Sequence, residues 1–162
     1  MLFRSEPDRI ASRLNEFLVA SVEPGRFVTA FLGFLDAATG RFVYVNAGHN
    51  PPLLRRADGA VESLQEGGLI LGIMPGSMFQ SGATTLASGD VLVLYTDGVT
   101  EGADASGEQW GETRLAETVA ATHALGAEGI AAGIAERVRA FEGETGPADD
   151  LTVLVVKRLP QV

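Results

Sequence analysis

The sequence predicts an α+β fold with a largely antiparallel sheet system. Strand patterns outnumber helical patterns, and three apolar runs have the character of buried strands: FVTAFLGFL at 27–35, VLVLY at 91–95 and LTVLVV at 151–156. Of the 162 residues, 46% are hydrophobic and 20% are charged, which is typical of a folded soluble domain. We therefore expect one domain over residues 1–162.

A helix is predicted near the N-terminus. Ser5 is a suitable N-cap, since it is followed by Pro7 and Asp8 in the first turn. Apolar residues then recur with helical spacing over 10–18, and Pro24 marks the end of the element. This helix has one apolar face.

Two hairpins are predicted next. The run at 27–35 is apolar at both parities, which favours a central strand covered on both faces, and it pairs with RFVYVNA at 41–47. A second hairpin joins strands near 53–57 and 60–64 through Asp58-Gly59, a sequence that favours a type I′ turn. We expect an irregular segment over residues 66–76.

The second half alternates strands and helices. A strand at 79–86 precedes the buried strand at 91–95, and two helices are predicted at 112–124 and 128–141. In the second helix, Gly129 and Gly133 have the four-residue spacing that would allow close approach to a sheet. The run at 151–156 is the last buried strand.

Composition excludes several classes of function. With 12 Lys and Arg against 21 Asp and Glu, the net charge of −9 opposes binding to nucleic acid and to anionic membranes. The chain contains no Cys, which removes thiolate nucleophiles and Cys-based zinc sites. No apolar run reaches the roughly 18 residues of a membrane span. We expect a cytoplasmic protein.

Carboxylates stand at the ends of two predicted buried strands. Asp97 follows VLVLYT, and Asp149 and Asp150 directly precede LTVLVV. If these strands are antiparallel neighbours, the three side chains meet at one edge of the sheet, in a geometry suited to a metal ion. The alternative is that Asp97 belongs to a turn and Asp149-Asp150 to a polar strand start. The pattern alone leaves both interpretations open.

The donor set indicates a hard cation. Two carboxylates about 5 Å apart repel by about 3 kcal/mol at an effective dielectric constant of about 20, so an intervening cation stabilises them. Oxygen donors without Cys favour Mg²⁺ or Mn²⁺ over zinc. His49, in the turn NAGHNPP, is a further candidate, although a single His at a strand end is more often structural.

A different phosphatase pattern has to be considered. VLVLYTDGVT resembles the haloacid-dehalogenase motif, in which a strand leads into Asp-x-Asp-Gly-x-Thr and the first Asp is the nucleophile. Tyr95 occupies that first position here, and the motif lies beyond the middle of the chain. A phenol cannot replace the carboxylate nucleophile, which excludes this family.

Three stretches together resemble the SpoIIE-like branch of the metal-dependent (type 2C, PPM-type) protein serine/threonine phosphatases. They are FVYVNAGHNPPLL at 42–54, GDVLVLYTDGVTE at 89–101 and ADDLTVLVV at 148–156. The resemblance implies a β-sandwich flanked by α-helices in α-β-β-α layers. It also implies two Mn²⁺ or Mg²⁺ ions and a metal-bound water as the nucleophile on phosphorus.

The resemblance also assigns residues. Asp97 and Asp149 match metal-ligating aspartates of the family, Asp150 stands where relatives often have Asn, and His49 is a neighbour of the site. The family's upstream Gly-Asp-Val-x-Gly-x-Gly motif, which supplies a further metal aspartate, does not occur in this sequence. We therefore expect a partial domain that lacks its N-terminal portion and has little or no activity alone.

The function implied by this resemblance is hydrolysis of phosphoserine or phosphothreonine on a regulatory protein. The expected substrate is a phosphorylated anti-anti-sigma (STAS-domain) protein of bacterial partner switching, in which sigma factor activity is regulated. The alternative is a non-catalytic pseudophosphatase that binds a protein or oligomerises. Uncovered strand edges and apolar faces predict self-association. We further expect the carboxylates of Asp97 and Asp149 to lie within about 6 Å of each other, as shared ions require.

Overall fold

A computed structural model describes residues 6–23, 25–143 and 149–160. The N-cap predicted at Ser5 and the helix stop predicted at Pro24 lie outside these residues. In chain order, the elements are α1 (Pro7–Ser21), β1 (Ala30–Leu35), β2 (Arg41–Ala47), β3 (Leu53–Arg55), β4 (Val61–Ser63), β5 (Gly67–Gly68), β6 (Gly82–Thr85), β7 (Val91–Tyr95), α2 (Asp97–Thr100), α3 (Gly111–Thr122), α4 (Ala127–Glu142) and β8 (Val153–Lys157). The predicted α+β class is confirmed.

The chain forms two compact units, and it visits each unit twice. The first unit comprises Met1–Pro51 and Leu64–Leu86, and the second comprises Pro52–Ser63 and Ala87–Val162. In the described part of the chain, no helix has both the length and the apolarity that crossing a membrane requires.

The first unit is built on β2. This strand pairs antiparallel with β1 and β6 and parallel with the short β5. Helix α1 packs on the sheet through a small core of fully or nearly buried residues, which are Ala11, Val45, Ala47, Leu71 and Phe79. The predicted helix and first hairpin are therefore confirmed.

The prediction that residues 27–35 form a central strand is wrong. The strand begins only at Ala30, and among the described residues β1 pairs with β2 alone. Its side chains are half-buried or exposed, and Phe27 lies outside the strand with more than half of its surface accessible. Apolar residues at both odd and even positions indicate that both faces of a strand can be covered. They do not indicate how many strands pair with its edges.

The second hairpin is confirmed, but its turn is not type I′. The Arg56 carbonyl accepts a hydrogen bond from the Gly59 amide (3.0 Å), and the Arg56 amide donates to the Ala60 carbonyl (2.8 Å). Gly59 has φ +97°, whereas Asp58, like every described residue other than glycine, has negative φ. The connection is a three-residue loop with glycine in the left-handed position, since type I′ would need positive φ at both central residues.

The second unit contains an antiparallel sheet in the order β4-β3-β7-β8. Its main core joins this sheet to α3 and α4 and includes Leu53, Val91, Val93, Tyr95, Val99, Trp110, Leu115, Val119, Ile130, Ile134 and Val138. Strand β7 is buried as predicted. The helices predicted at 112–124 and 128–141 are confirmed as α3 and α4, and α4 buries Ile130, Ile134 and Val138.

Two predictions about the second unit are corrected. The run at 151–156 is not the buried strand that was predicted, because the side chains of β8 are half-buried or exposed and Leu154 is 56% exposed. Gly133 does not serve approach to the sheet: a Cβ there would lie 3.1 Å from Cγ2 of Thr122, in α3. The glycine therefore allows the two helices to pack closely together.

Candidate metal centre

The segments that carry the candidate aspartates meet at one end of the β7–β8 pair. The strands are antiparallel neighbours, as predicted, and their pairing places Tyr95 opposite Val153. The pairing continues one step further, because the Thr96 amide donates to the Thr152 carbonyl (3.1 Å). Asp97 follows this last pair on one chain segment, and Asp150 precedes it on the other.

Thr96 links the two segments through its side chain as well. Its hydroxyl Oγ1 donates to the Asp150 carbonyl (3.0 Å) and accepts the Thr152 amide (3.0 Å). With the backbone bond, Thr96 makes three hydrogen bonds to the segment 150–152. No role for Thr96 was predicted from the sequence.

Gly98 gives the second segment the space to approach. A Cβ at this position would lie 2.6 Å from the Asp150 carbonyl oxygen and 3.3 Å from that of Asp149, and the first distance is too short for real atoms. Gly98 is not among the glycines with positive φ, so the requirement is steric rather than conformational. A glycine directly after a candidate ligand was the signal in the sequence for this close approach.

The carboxylates of Asp97 and Asp149 have the same local arrangement. Each uses Oδ1 to accept the amide of the next residue, Gly98 at 3.0 Å and Asp150 at 2.7 Å. Both side chains are exposed, and Oδ2 of each makes no hydrogen bond with the described residues. Two hard oxygen donors thus stand at one end of the strand pair. Their 6 Å separation remains a prediction.

These donors fit one Mg²⁺ or Mn²⁺ ion. Magnesium is commonly held by one or two carboxylates, with water and substrate phosphate filling its other positions. Within residues 6–23, 25–143 and 149–160, no group of three or more His, Cys, Asp or Glu side chains is placed to hold a metal.

His49 lies in the first unit, at the turn that follows β2. Its amide donates to Oδ1 of Asn46 (2.8 Å), and Nδ2 of Asn46 donates back to the His49 carbonyl (2.9 Å). Asn46 is nearly buried, so its amide group fixes the backbone that presents the half-buried His49. This bracing role of Asn46 was missed, and His49 as a site neighbour remains a prediction.

Tyr95 belongs to the core. Its ring is buried, and its hydroxyl donates weakly to Oε1 of Glu112 (3.4 Å). Burial, with the nearby Glu112 carboxylate, raises the pKa of Tyr95 to about 12. A neutral phenol in this position agrees with the exclusion of the haloacid-dehalogenase mechanism.

Several curated proteins match this chain, and two of them are described here. Protein IcfG from Synechocystis sp. is 33% identical over 132 residues, which is 82% of this chain and 21% of that protein. The phosphoserine phosphatase RsbU from Bacillus subtilis is 31% identical over 96 residues, which is 59% of this chain and 29% of that protein. The chain thus spans less than a third of the length of either relative.

A solved structure and a family model also match this chain. The phosphatase domain of the cell fate determinant SpoIIE from Bacillus subtilis, presoaked with Mn, superposes with a TM-score of 0.68 at 23% identity, covering 99% of this chain and 70% of that chain. The family model of Stage II sporulation protein E (SpoIIE) matches residues 2–159. The chain therefore belongs to the SpoIIE family, the branch of the type 2C (PPM-type) phosphatases that its motifs resemble.

Proposed function

We propose that this chain carries part of a metal-dependent phosphatase site that removes phosphate from serine or threonine of a STAS-type regulatory protein. The observation that carries the proposal is the junction at the end of β7 and β8, where Asp97 and the Asp149–Asp150 segment are held together by Thr96. Similarity to the phosphoserine phosphatase RsbU supports the reaction and the substrate class.

In this proposal Asp97 and Asp149 bind one Mn²⁺ or Mg²⁺ ion, and Asp150 has an auxiliary role. A divalent ion supplies Lewis acidity toward phosphate oxygens and lowers the pKa of water. The contribution of the protein is to present carboxylates at fixed positions and to leave them open to solvent. An exposed site at a strand end suits a phosphate carried on the surface of another protein.

Charge supports the requirement for a cation. The chain carries a net charge of −9, and the candidate site contributes three of its carboxylates. A phosphorylated protein is repelled by such a surface until bound cations neutralise it. We therefore expect both the binding of the phosphoprotein and its hydrolysis to depend on Mn²⁺ or Mg²⁺.

The chain alone is expected to turn over little substrate. Two-metal phosphatases clamp the attacking and leaving oxygens with ions about 3.5 to 4 Å apart. The described residues offer no group of three donors, so the set at Asp97 and Asp149 is short for two ions. Binding of a single ion should therefore exceed catalysis.

The test is hydrolysis of an aryl phosphate and of a phosphoserine peptide in millimolar Mn²⁺. The chain, its Asp97→Asn variant and a version extended upstream in the natural reading frame are compared. Asp58→Asn is the matched control, since Asp58 is an exposed turn aspartate whose Oδ1 accepts the Ala60 amide. We expect turnover in the extended version, its loss with Asp97→Asn in that version, and no loss with Asp58→Asn.

Two results would contradict the proposal in different ways. Strong turnover by the chain alone that Asp97→Asn abolishes would show that its metal site is complete. Absence of turnover in the extended version would instead contradict the enzymatic function and favour the non-catalytic alternative.

A second function, protein binding or self-association, is favoured by the surface of the first unit. Large apolar side chains are exposed there, among them Phe17 on α1 (65%) and Met78 in the loop before β6 (87%). Exposed aromatic and methionine side chains are typical of protein interfaces.

A further inference from the structure

Thr96 occupies the N-cap position of α2, but its side chain does not cap that helix. An N-cap threonine ordinarily accepts a hydrogen bond from a backbone amide in the first turn of its own helix. Here the Gly98 amide is taken by Oδ1 of Asp97, and the Thr96 hydroxyl bonds across to residues 150 and 152. The hydroxyl is thus used between segments rather than within one.

This use has a specific geometric effect. The hydroxyl donates to the carbonyl of Asp150 and accepts the amide of Thr152, so it bridges two polar groups that lie just before the first residue of β8. Both bonds are 3.0 Å. Without them, the bond from the Thr96 amide to the Thr152 carbonyl is the one hydrogen bond between Thr96 and the segment 149–152 that would remain among the described residues.

We propose that Thr96 is a positioning residue for the divalent cation: its hydroxyl fixes the segment 149–152 against Asp97 and thereby sets the affinity of the carboxylate pair for Mn²⁺ or Mg²⁺. The proposal rests on the metal site of the proposed function. Asp97 and Asp149 lie on separate chain segments, so a cation that both bind loses affinity when one segment moves freely. Preorganisation of ligands reduces the entropy that binding costs.

Gly98 also supports the proposal that the segment 149–152 is held against Asp97. Its missing Cβ lets the Asp150 carbonyl approach to a distance at which the Thr96 hydroxyl can reach it. The tripeptide Thr96-Asp97-Gly98 therefore combines a tether, a ligand and a space for the opposite segment. Each residue type serves one of these three needs.

Two substitutions at Thr96 separate the hydroxyl from the shape of the side chain. Thr96→Val keeps the branched shape and removes both hydrogen bonds, whereas Thr96→Ser keeps the hydroxyl and removes one methyl group. Thr122→Val is the control for loss of a threonine hydroxyl elsewhere, because Oγ1 of Thr122 bonds only within α3, to the Thr118 carbonyl (2.8 Å).

The first measurement is amide hydrogen exchange without metal. We expect the Thr152 amide to exchange at least about tenfold faster in Thr96→Val than in the parent chain, because its acceptor is gone, and to remain near the parent rate in Thr96→Ser. Unchanged exchange in Thr96→Val would overturn the tether.

The second measurement is the Kd for Mn²⁺ by isothermal titration calorimetry, together with the Tm of each variant. We expect Thr96→Val to bind Mn²⁺ about tenfold more weakly, and Thr96→Ser and Thr122→Val to stay within about threefold of the parent chain. Equal affinities in Thr96→Val and the parent would overturn the positioning role, as would a loss that Thr96→Ser fails to restore.

Failure of the proposed function gives a different result. If the parent chain itself binds no Mn²⁺, the metal site at Asp97 and Asp149 is wrong, and the link between Thr96 and affinity is overturned with it. The exchange measurement still decides whether the hydroxyl fixes the segment 149–152.

Discussion

The two units differ in how completely their apolar surface is covered. In the second unit the sheet packs against two helices, α3 and α4, around a core of eleven buried side chains. In the first unit one helix, α1, packs on the sheet, and the corresponding core has five buried side chains. Of the large apolar side chains that are exposed in the described residues, ten lie in the first unit and four in the second.

This difference indicates that the two units have different roles, one in positioning ligands and the other in presenting a surface for binding. The candidate aspartates stand on the unit with the larger core, and metal ligands are positioned best by rigid, well-packed elements. The first unit keeps apolar side chains at its surface, where a protein partner or a second copy of the chain can bind. Four predictions examine this contrast, beginning with the largest expected effect.

Truncation in the larger core should cost the most stability. Ile134 is fully buried in α4, and Ile134→Ala is expected to lower the free energy of unfolding by about 4 kcal/mol through lost burial and a remaining cavity. In α1, Ile10 is 40% exposed, so Ile10→Ala should cost less than about 1 kcal/mol. Urea denaturation followed by circular dichroism measures both. Equal costs would contradict the contrast between the units.

Asp90 is expected to stabilise the second unit in a pH-dependent manner. Burial alone would raise its pKa, but hydrogen bonds from the Ala87 amide, the Arg56 guanidinium and the Ala57 amide outweigh burial and lower the pKa below its ordinary value of 3.8. A lowered pKa in the folded state gives stability that is present above about pH 4 and is lost as the pH falls through the folded pKa.

Asp90→Asn should therefore cost about 3 kcal/mol near pH 7 and progressively less below pH 4. Urea denaturation at pH 7, 5 and 3 measures this difference, with Asp58→Asn as the control because Asp58 is an exposed turn residue with a single backbone hydrogen bond. A cost that stays constant from pH 7 to pH 3 would exclude the ionised carboxylate as its source.

In the first unit, Asn15 should contribute more to the free energy of unfolding than the small size of the core suggests. It is fully buried, Nδ2 donates to the Met74 carbonyl (2.9 Å), and Oδ1 accepts the Gly72 amide (3.0 Å). Asn15→Ala leaves both backbone groups without this partner, and we expect a loss of about 2 kcal/mol. Ser12→Ala is the control, since its hydroxyl bonds only within α1. Denaturant titration decides whether the two variants differ.

The smallest effect on stability is expected at the exposed apolar surface. The double variant Phe17→Ser and Met78→Ser should change the free energy of unfolding by less than about 1 kcal/mol, because both side chains are largely exposed. The same variant should reduce self-association, measured by light scattering at high micromolar concentration. A parent chain that is monomeric under these conditions would contradict the self-association proposal.

Most element types could be predicted from the sequence, whereas strand positions in the sheets could not. The stripe of Ile130, Ile134 and Val138 specifies a buried helix face, because every third or fourth residue is apolar. Apolar residues at both parities, as at 27–35 and 151–156, describe the environment of a strand's faces. They carry no information about its edges, and this is why β1 was expected to be more central than it is.

The turn and the glycines show a second limit. Asp58-Gly59 is compatible with two loop lengths, and the choice depends on the register of β3 and β4, which only the paired strands determine. Gly133 signals close approach in the sequence but not its partner, which is Thr122 rather than the sheet. A glycine in a local pattern indicates that another element approaches closely, but it does not identify that element.

The candidate site was also only partly predictable, because local patterns identify residues but not their partners. Asp97 and Asp149 could be identified because acidic residues at the ends of apolar strands are unusual. Their adjacency needed only the antiparallel pairing of the two strands, which is confirmed. The role of Thr96 could not be predicted, because a threonine before a short helix ordinarily indicates an N-cap, and its actual partners lie more than fifty residues away.

The order in which the chain visits its two units limits how the site can be exchanged between relatives. The hairpin of β3 and β4 belongs to the second unit, but residues 64–86 of the first unit separate it from the rest of that unit. Strand β7 pairs with β3 on one side and β8 on the other. A chimera with a single crossover between 64 and 86 would therefore combine the β3 of one parent with the β7 of another. Moving the second unit intact and without the first unit requires three crossovers, which lie before Pro52, after Ser63 and before Ala87.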